Sequence, residues 1–489
     1  MYNGLNRPRS QDHDEIRGML FNSFEFLLFF PAVSLIYFLL GKNKLRNPFL
    51  LIASYYFYMN WKPIYAVLIL TSTILTYACG LLVEKYAGDK RKQKAFLVIS
   101  LILNFGILFI FKYFNFINES VFTVLSSMGL RWTVPNLNVL LPVGISFYTF
   151  QAVGYSIDVY RGTIKAEKDF LTYALFVSFF PQLVAGPIER AKNLLPQFHA
   201  EHRFDAEDVR EGIKQMIWGF FMKLCVADCI SEYVDAVFNN VPNHNGLSMI
   251  MATVFFTFQI YCDFAGYSNI AIGAARIMGF RLMENFRQPY FSMSIKEFWK
   301  RWHISLSTWF MDYLYIPLGG NRVKYGRHLL NLMITFLVSG LWHGANWTFV
   351  IWGALHGTYL ILENVMRKFI YAPKNESILS KVFSTIVCFT LVCFAWIFFR
   401  ANSISDAFTI VGKIFTDWGP LYTNIEVFLY GFTSLFILII KDAKDAFNLR
   451  INFMHSQYYW VRLVSVVFLI SYIMLFGALS GGAFIYFQF

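Results

Sequence analysis

The sequence predicts an all-α, polytopic membrane protein with about 11–13 hydrophobic helices, some of them re-entrant or interfacial. Of its 489 residues, 57% are hydrophobic and only 15% are charged, whereas soluble proteins average about 25% charged residues. The mean hydropathy is +0.48. The apolar runs are continuous, and a transmembrane barrel would instead show short segments of alternating hydrophobicity.

The basic residues are arranged in a way that argues for a membrane and against nucleic acid. The formal net charge is +12, and one cluster of basic residues holds Lys42, Lys44 and Arg46. A second cluster lies within residues 85–94, and only Lys62 lies between the two. The positive-inside rule places both clusters in the cytoplasm and the start of the first span outside. We therefore expect membrane lipid as a partner and no nucleic acid.

About a dozen apolar segments follow one another along the chain, and a full span needs roughly 20 apolar residues. Segments 48–61 and 170–184 are too short to cross alone, so we expect half-spans that are buried in protein. The predicted segments are residues 24–40, 48–61, 64–83, 95–113, 139–159, 170–184, 213–237, 247–264, 328–341, 347–365, 382–399, 427–440 and 461–479.

The domain organisation is simple, because neither an internal repeat nor a low-complexity linker is visible. Residues 1–18 are polar and mixed in charge, and we expect a tail that a translational start at Met19 would omit. Residues 19–489 are expected to form a single membrane domain. The polar stretch 191–209 is of a length typical of a loop.

Residues 296–313 predict an amphipathic helix at the membrane interface or on the floor of a cavity. Its charged side carries the adjacent cations Lys300 and Arg301, and His303 lies at the edge of the aromatic side. The aromatic side holds Phe298, Trp299, Trp302, Leu306, Trp309, Phe310 and Tyr313.

His343 is the strongest candidate for chemistry, in the apolar run 339–357 (SGLWHGANWTFVIWGALHG). An ionisable side chain at membrane depth usually faces an internal cavity, and an imidazole can act there as a general base or acid. The alternative is a packing histidine that is bonded to a neighbouring carbonyl. Asn346, three residues on, is expected to share the helical side of His343 and could orient the ring.

Other ionisable or polar candidates have a structural alternative beside the functional one. His303 could act chemically or be a solvated interfacial residue, and we expect His356 to make an interhelical hydrogen bond. Asp263, near Gln259, could hold a substrate or be an anchor bonded to backbone amides or to Arg276. Residues 266–269 suggest an unwound helix, and the proline-containing run 180–190 (FPQLVAGPIER) predicts a broken helix or cavity lip.

Several kinds of site are disfavoured by the sequence. The cysteines form no CxxC pair and no histidine cluster completes a metal set, so we predict no metal and buried, packing cysteines. A nucleophile elbow, a phosphate-binding loop and a zinc-protease motif are also missing from the sequence. A self-contained serine hydrolase and an ATP-driven pump are therefore disfavoured.

Five runs together resemble the membrane-bound O-acyltransferases, especially the bacterial branch for alginate O-acetylation. The similarity extends from about Met19 to the C-terminus, through residues 141–162, 180–190, 261–273, 298–322 and 340–357. This resemblance implies a many-helix fold around a central funnel or tunnel. It also implies that His343 is the catalytic histidine of the family and that His303 matches a second histidine of this branch.

The resemblance implies an enzyme of the bacterial inner membrane that moves an acyl group, most simply acetyl, from a cytoplasmic thioester to an acceptor hydroxyl outside. The donor would be acetyl-CoA or an acyl carrier protein, with no bound cofactor, and an SGNH-type extracytoplasmic acetyltransferase would be a partner. Lys300 and Arg301 would suit the donor phosphates. Trp342, Asn346 and Trp302 would shape the pocket, with Gln259 and Asp263 near the substrate.

Two other classes of function stay open at this point. Broken helices and about a dozen spans are also typical of carriers that flip a lipid-linked glycan or acyl group. A non-catalytic scaffold for an extracytoplasmic transferase is the third possibility.

Overall fold

The computed structural model describes residues 18–184, 186–369, 377–449, 452–478, 482 and 484–485. Within these ranges the chain is helical and contains no β-strand, so the all-α prediction is confirmed. Five helices in this part are long and apolar enough to cross a membrane. The predicted tail lies outside the described residues except for Gly18.

The α-helices follow the predicted apolar segments closely. In chain order they are α1 (Phe24–Leu39), α2 (Asn43–Met59), α3 (Tyr65–Lys85), α4 (Lys90–Leu108), α5 (Phe114–Ser127), α6 (Ile145–Arg161), α7 (Phe170–Ser178), α8 (Phe180–Leu183), α9 (Ala191–His199), α10 (Ala206–Phe220), α11 (Asp228–Phe238), α12 (Gly246–Ile277), α13 (Ile295–Arg301), α14 (Ile304–Phe310), α15 (Tyr325–His343), α16 (Trp347–Phe369), α17 (Ile378–Arg400), α18 (Ile404–Thr416), α19 (Ile425–Ala446) and α20 (Tyr459–Phe476).

The described part of the chain contains three π-helical turns, two of which join consecutive helices. They span Phe109–Tyr113 between α4 and α5, Phe221–Ala227 between α10 and α11, and Met311–Tyr315 after α14. Such turns insert extra residues into a helix and often occur at functional sites. Two of them carry a lysine inside an apolar stretch, Lys112 and Lys223.

The polarity of residues 191–209 predicted a loop, and this prediction was wrong. The stretch contains α9 and the start of α10, which is capped by the Asp205 carboxylate accepting hydrogen bonds from the amides of Glu207 and Asp208. Helix α9 buries Leu194, Leu195 and Phe198. An apolar side repeated over only nine residues is easily hidden by the charges around it.

Helices α10 and α12 pack with their backbones almost in contact, which corrects the unwinding predicted at 266–269. Helix α12 is unbroken from Gly246 to Ile277. A Cβ on Gly266 would lie 2.8 Å from the carbonyl oxygen of Gly219, and one on Gly273 would lie 2.6 Å from that of Gly212. The glycines therefore permit a close helix crossing.

The predicted helix 296–313 is broken in two. Helix α13 ends at Arg301, His303 takes a left-handed backbone conformation with φ 42°, and α14 begins at Ile304. Asn285, from the preceding loop, holds this break: its backbone oxygen accepts from the Ile304 amide, and its side-chain oxygen accepts from the Ser305 amide and hydroxyl. Five of the seven residues on the aromatic side are buried, and Trp299 and Tyr313 are half-buried.

Helices α15 and α16 form a tight hairpin, not one continuous helix. The turn falls at residues 344–346, and a Cβ on Gly340 or Gly353 would collide with the backbone of the opposite helix. The side-chain oxygen of Asn346 accepts from the Thr348 amide and so caps α16. The expectation that Asn346 shares a helical side with His343 was therefore wrong.

Candidate active site

His343 is the last residue of α15 and lies deep in an aromatic cluster. Its side chain is buried, with the residue 2% exposed. Its ring meets Trp342, Trp352 and Phe399 edge to face, with centroid distances of 5.1, 4.9 and 5.4 Å. These rings exclude water from most of the imidazole.

His303 is also fully buried, so the prediction of an interfacial position was wrong. Its Nδ1 lies 3.0 Å from the side-chain oxygen of Asn285, and its ring packs edge to face on Phe264 at 4.5 Å. Asn285 was not singled out in the sequence. Its role could not be read there, because it lies 18 residues before His303 in a loop.

Trp342 brings the two histidines into one site. Its ring centroid is 6.1 Å from that of His303 and 5.1 Å from that of His343. Phe147 of α6 packs against both Trp342 and His303, at 5.3 and 6.3 Å. The structure therefore joins three of the predicted site residues, which come from two separate stretches of sequence.

A small cavity of about 40 Å³ reaches His343 from the side of α6; we call it the acceptor cavity. Its walls come from the π-helical turn after α4, the segment before α6 and the end of α15. The lining residues are Lys112, Leu141, Pro142, Val143, Gly144, Ile145, Ser146, Phe147, Trp342 and His343. Lys112 is the only charged residue among them, and sequence reasoning did not select it.

A larger, open cavity of about 630 Å³ begins beside Arg301; we call it the basic pocket. It contains Lys300 and Arg301, the two predicted cations. Arg301 also pairs with Glu297 at 2.6 Å. The lining residues are Arg287, Gln288, Ser294, Lys296, Glu297, Lys300, Arg301, Arg367, Asp445 and Ala446. Five cations thus face two carboxylates.

The two cavities lie near opposite ends of α16. Helix α16 starts at Trp347, just after the turn that follows His343, and Arg367 near its other end lines the basic pocket. Twenty helical residues span about 30 Å, which is close to the thickness of a bilayer core. Trp302 is buried, and in the sequence it lies between Arg301 of the basic pocket and His303.

The remaining candidates lie elsewhere. Trp299 Nε1 donates a 3.2 Å hydrogen bond to His356 Nδ1, which confirms the interhelical bond expected for His356. The Asp263 carboxylate pairs with Lys223 Nζ at 2.6 Å and accepts from the Ile485 amide at 2.7 Å. Asp263 is thus an anchor, but not with Arg276, which pairs with Asp208. Gln259 is half-buried on α12.

The described residues contain no group of three or more histidine, cysteine or acidic side chains that could hold a metal ion. Five cysteines are buried, and Cys229 is half-buried.

Comparison with known proteins decides the family. The model of the membrane-bound O-acyltransferase family matches residues 55–402. The chain belongs to this family. The matched range contains both histidines, the acceptor cavity and most of the basic pocket, so this membrane-bound O-acyltransferase is an acyltransferase with a multi-pass membrane fold and contact with lipid.

Individual relatives agree with this assignment. A protein of Azotobacter vinelandii named "Probable alginate O-acetylase AlgI" is 41% identical, over 82% of this chain and 79% of that protein. The "Peptidoglycan O-acetyltransferase" of Helicobacter pylori is 31% identical over 96% and 98%. The "Teichoic acid D-alanyltransferase" of Bacillus subtilis is 27% identical over 55% and 71%. All three names describe acyl or aminoacyl transfer.

Proposed function

We propose that the protein transfers an acyl group, acetyl in the simplest case, from a cytoplasmic thioester to a hydroxyl at the outer side of a bacterial inner membrane, with His343 as general base. The observation that carries the proposal is the place of His343. It lines the acceptor cavity beside Trp342, whose ring also approaches that of His303.

The basic pocket supports a phosphate-bearing donor. Lys300 and Arg301 line it, and Arg287, Lys296 and Arg367 add three further cations. Such a surface attracts the phosphates of acetyl-CoA or of the phosphopantetheine arm of an acyl carrier protein. The thioester would then extend past Trp302 toward the histidines.

The chemistry at His343 follows from the properties of an imidazole. The ring takes the proton of the acceptor hydroxyl as its oxygen attacks the thioester carbonyl. The carbon–sulfur bond then breaks, and the imidazolium returns the proton to the leaving thiolate. Trp342, with Asn346 at the turn, shapes the site, and His303, held by Asn285, contacts the acyl group from the donor side.

The names of the relatives support acetyl as the group and a cell-surface polymer as its destination. The acceptor cavity, at about 40 Å³, is too small for a sugar ring and suits the approach of a single hydroxyl. An SGNH-type extracytoplasmic acetyltransferase that finishes the transfer is consistent with this size, because a partner's side chain can present one hydroxyl.

The test is His343→Ala in purified protein, supplied with radiolabelled acetyl-CoA or acetylated carrier protein and a hydroxyl acceptor, without a membrane gradient. We expect turnover to fall about a hundred- to ten-thousand-fold, the usual contribution of a general base. His356→Gln is the matched control, since it alters a buried histidine that bonds Trp299.

Undiminished transfer by His343→Ala would remove the catalytic role and favour a scaffold. Failure of the wild-type protein to transfer any acyl group covalently, combined with movement of a lipid-linked substrate in vesicles, would favour a carrier. An equal loss of transfer in His356→Gln would show that disturbing the aromatic cluster is enough to abolish activity. The result for His343→Ala could then not be assigned to its imidazole.

A further inference from the structure

Lys112 lies in an apolar stretch, on the π-helical turn Phe109–Tyr113 between α4 and α5. A lysine at this depth is costly unless its ammonium is fully bonded. The mechanism above does not use it. Its surroundings therefore show what it does.

The Lys112 ammonium binds the end of the helix that carries the candidate base. Nζ donates to the backbone oxygen of Trp342 at 2.8 Å and to that of His343 at 3.1 Å. A longer contact of 3.4 Å reaches the hydroxyl of Ser146 in the acceptor cavity. Both carbonyl contacts join residues more than 200 positions apart in sequence.

The next residue extends the same contact. The hydroxyl of Tyr113 donates to the backbone oxygen of Leu341 at 3.0 Å. One π-helical turn thus binds three consecutive carbonyls, those of Leu341, Trp342 and His343. The last carbonyls of an α-helix lack partners inside the helix, and a cation at that end also interacts favourably with the helix dipole.

We infer that Lys112, assisted by Tyr113, is a positioning residue for His343. By binding the final carbonyls of α15, the pair fixes the last turn of the helix and with it the direction of the imidazole at the wall of the acceptor cavity. This inference rests on the proposed function, because it gives Lys112 a role through His343. A displacement of about 1 Å in such a group can cost about a hundredfold in rate.

Lys413 offers a matched control. Its Nζ also donates to backbone carbonyls, in this case three, those of Val241, Pro242 and His244, at 3.1, 2.9 and 2.7 Å. Lys413 lies on α18 and does not line the acceptor cavity. A lysine-to-methionine change there removes the same kind of contact away from His343.

The experiment compares Lys112→Met, Lys112→Gln, Tyr113→Phe and Lys413→Met as purified proteins. Each is scored for kcat and donor KM per folded molecule and for hydrogen exchange in the peptide that covers residues 339–346. We expect kcat to fall about thirtyfold to a hundredfold in Lys112→Met. Lys112→Gln, which keeps two N–H donors, and Tyr113→Phe should lose less, about threefold to tenfold.

The donor KM should stay within about twofold in all four variants, because the basic pocket is unchanged. Exchange in peptide 339–346 should speed up in Lys112→Met, since the last turn is freed, and stay at the wild-type rate in Lys413→Met. A purely stabilising lysine would lower the folded fraction without this local change. If Lys112→Met does not insert, Tyr113→Phe carries the same comparison with a smaller perturbation.

Wild-type kcat in folded Lys112→Met, or wild-type exchange in peptide 339–346, would overturn the inference. An equal loss of kcat in Lys413→Met would also overturn it. The proposed function fails separately, through an active His343→Ala. A dead His343→Ala beside a fully active Lys112→Met would refute only the role of Lys112.

Discussion

The basic pocket and the acceptor cavity differ in both size and charge. The first measures about 630 Å³ and carries five cations and two carboxylates. The second measures about 40 Å³ and has one charged residue among its lining. A large charged recess suits binding of a charged carrier, and a narrow apolar one suits exclusion of water at a reacting atom.

Under the proposed function, this difference means that donor binding and acyl transfer take place at two ends of one site. Changes in the basic pocket should act on donor affinity, and changes around the acceptor cavity should act on turnover. Interactions that are equal in the ground state and the transition state alter KM alone, whereas those gained in the transition state alter kcat. His343→Ala, discussed above, is the largest expected effect on the turnover side.

The next largest effect should come from the basic pocket. Replacing Lys300 and Arg301 together by Glu reverses two charges where the donor phosphates would bind. We expect the donor KM to rise about thirtyfold and kcat to change less than threefold, with a KM that responds less to salt than in the wild type. Steady-state kinetics at two ionic strengths measures both.

Lys324→Glu is the control for this double variant, because Lys324 is exposed and does not line the pocket. An equal rise in KM for Lys324→Glu would mean that overall charge, and not the pocket, attracts the donor. A fall in kcat with an unchanged KM would break the division between the two ends.

His303→Asn should have a smaller effect on turnover, about tenfold. The amide is tolerated in the left-handed conformation that His303 adopts, so the backbone is retained while the ring is lost. Kinetics with saturating donor measures the change, and circular dichroism together with thermal melting checks the fold. Wild-type values of both kcat and KM would make His303 a purely structural residue.

The smallest effect on activity is expected at Asp263. Its partners, Lys223 and the Ile485 amide, line neither cavity. Asp263→Asn weakens an ion pair with Lys223, which keeps its second partner Asp228 at 2.7 Å. We expect a loss of about 1–3 kcal/mol in stability, seen as a lower melting temperature in detergent, and an unchanged donor KM in the folded fraction. A raised KM at unchanged stability would restore Asp263 as a substrate ligand.

The sequence predicted those structural features that depend on residues within a single helix. Apolar segments of about 20 residues predicted the helices, and the aromatic side of residues 296–313 predicted which side chains are buried. The failures come from contacts between distant parts of the chain. Asn285 ends a helix whose own sequence continues the helical pattern, and Gly219 explains Gly266 only once α10 and α12 are seen to cross.

For the same reason, only part of the candidate site could be predicted from the sequence. His343 stands out because an imidazole in an apolar run is rare, and His303 was found through a family resemblance. Lys112 is equally unusual in its own segment, but its meaning depends on carbonyls 230 positions away. A lysine inside an apolar run could have been noted from the sequence, but its hydrogen-bond partners could not.

The left-handed backbone of His303 affects how mutagenesis of this enzyme should be read. Residues with a β-carbon are uncommon in that conformation, but asparagine, aspartate and histidine are several-fold enriched there, and alanine is not. Alanine at this position would therefore relax the junction between two helices as well as delete a ring. A systematic alanine screen would rank His303 too high, and a series of asparagine and glycine replacements would give the fairer measure.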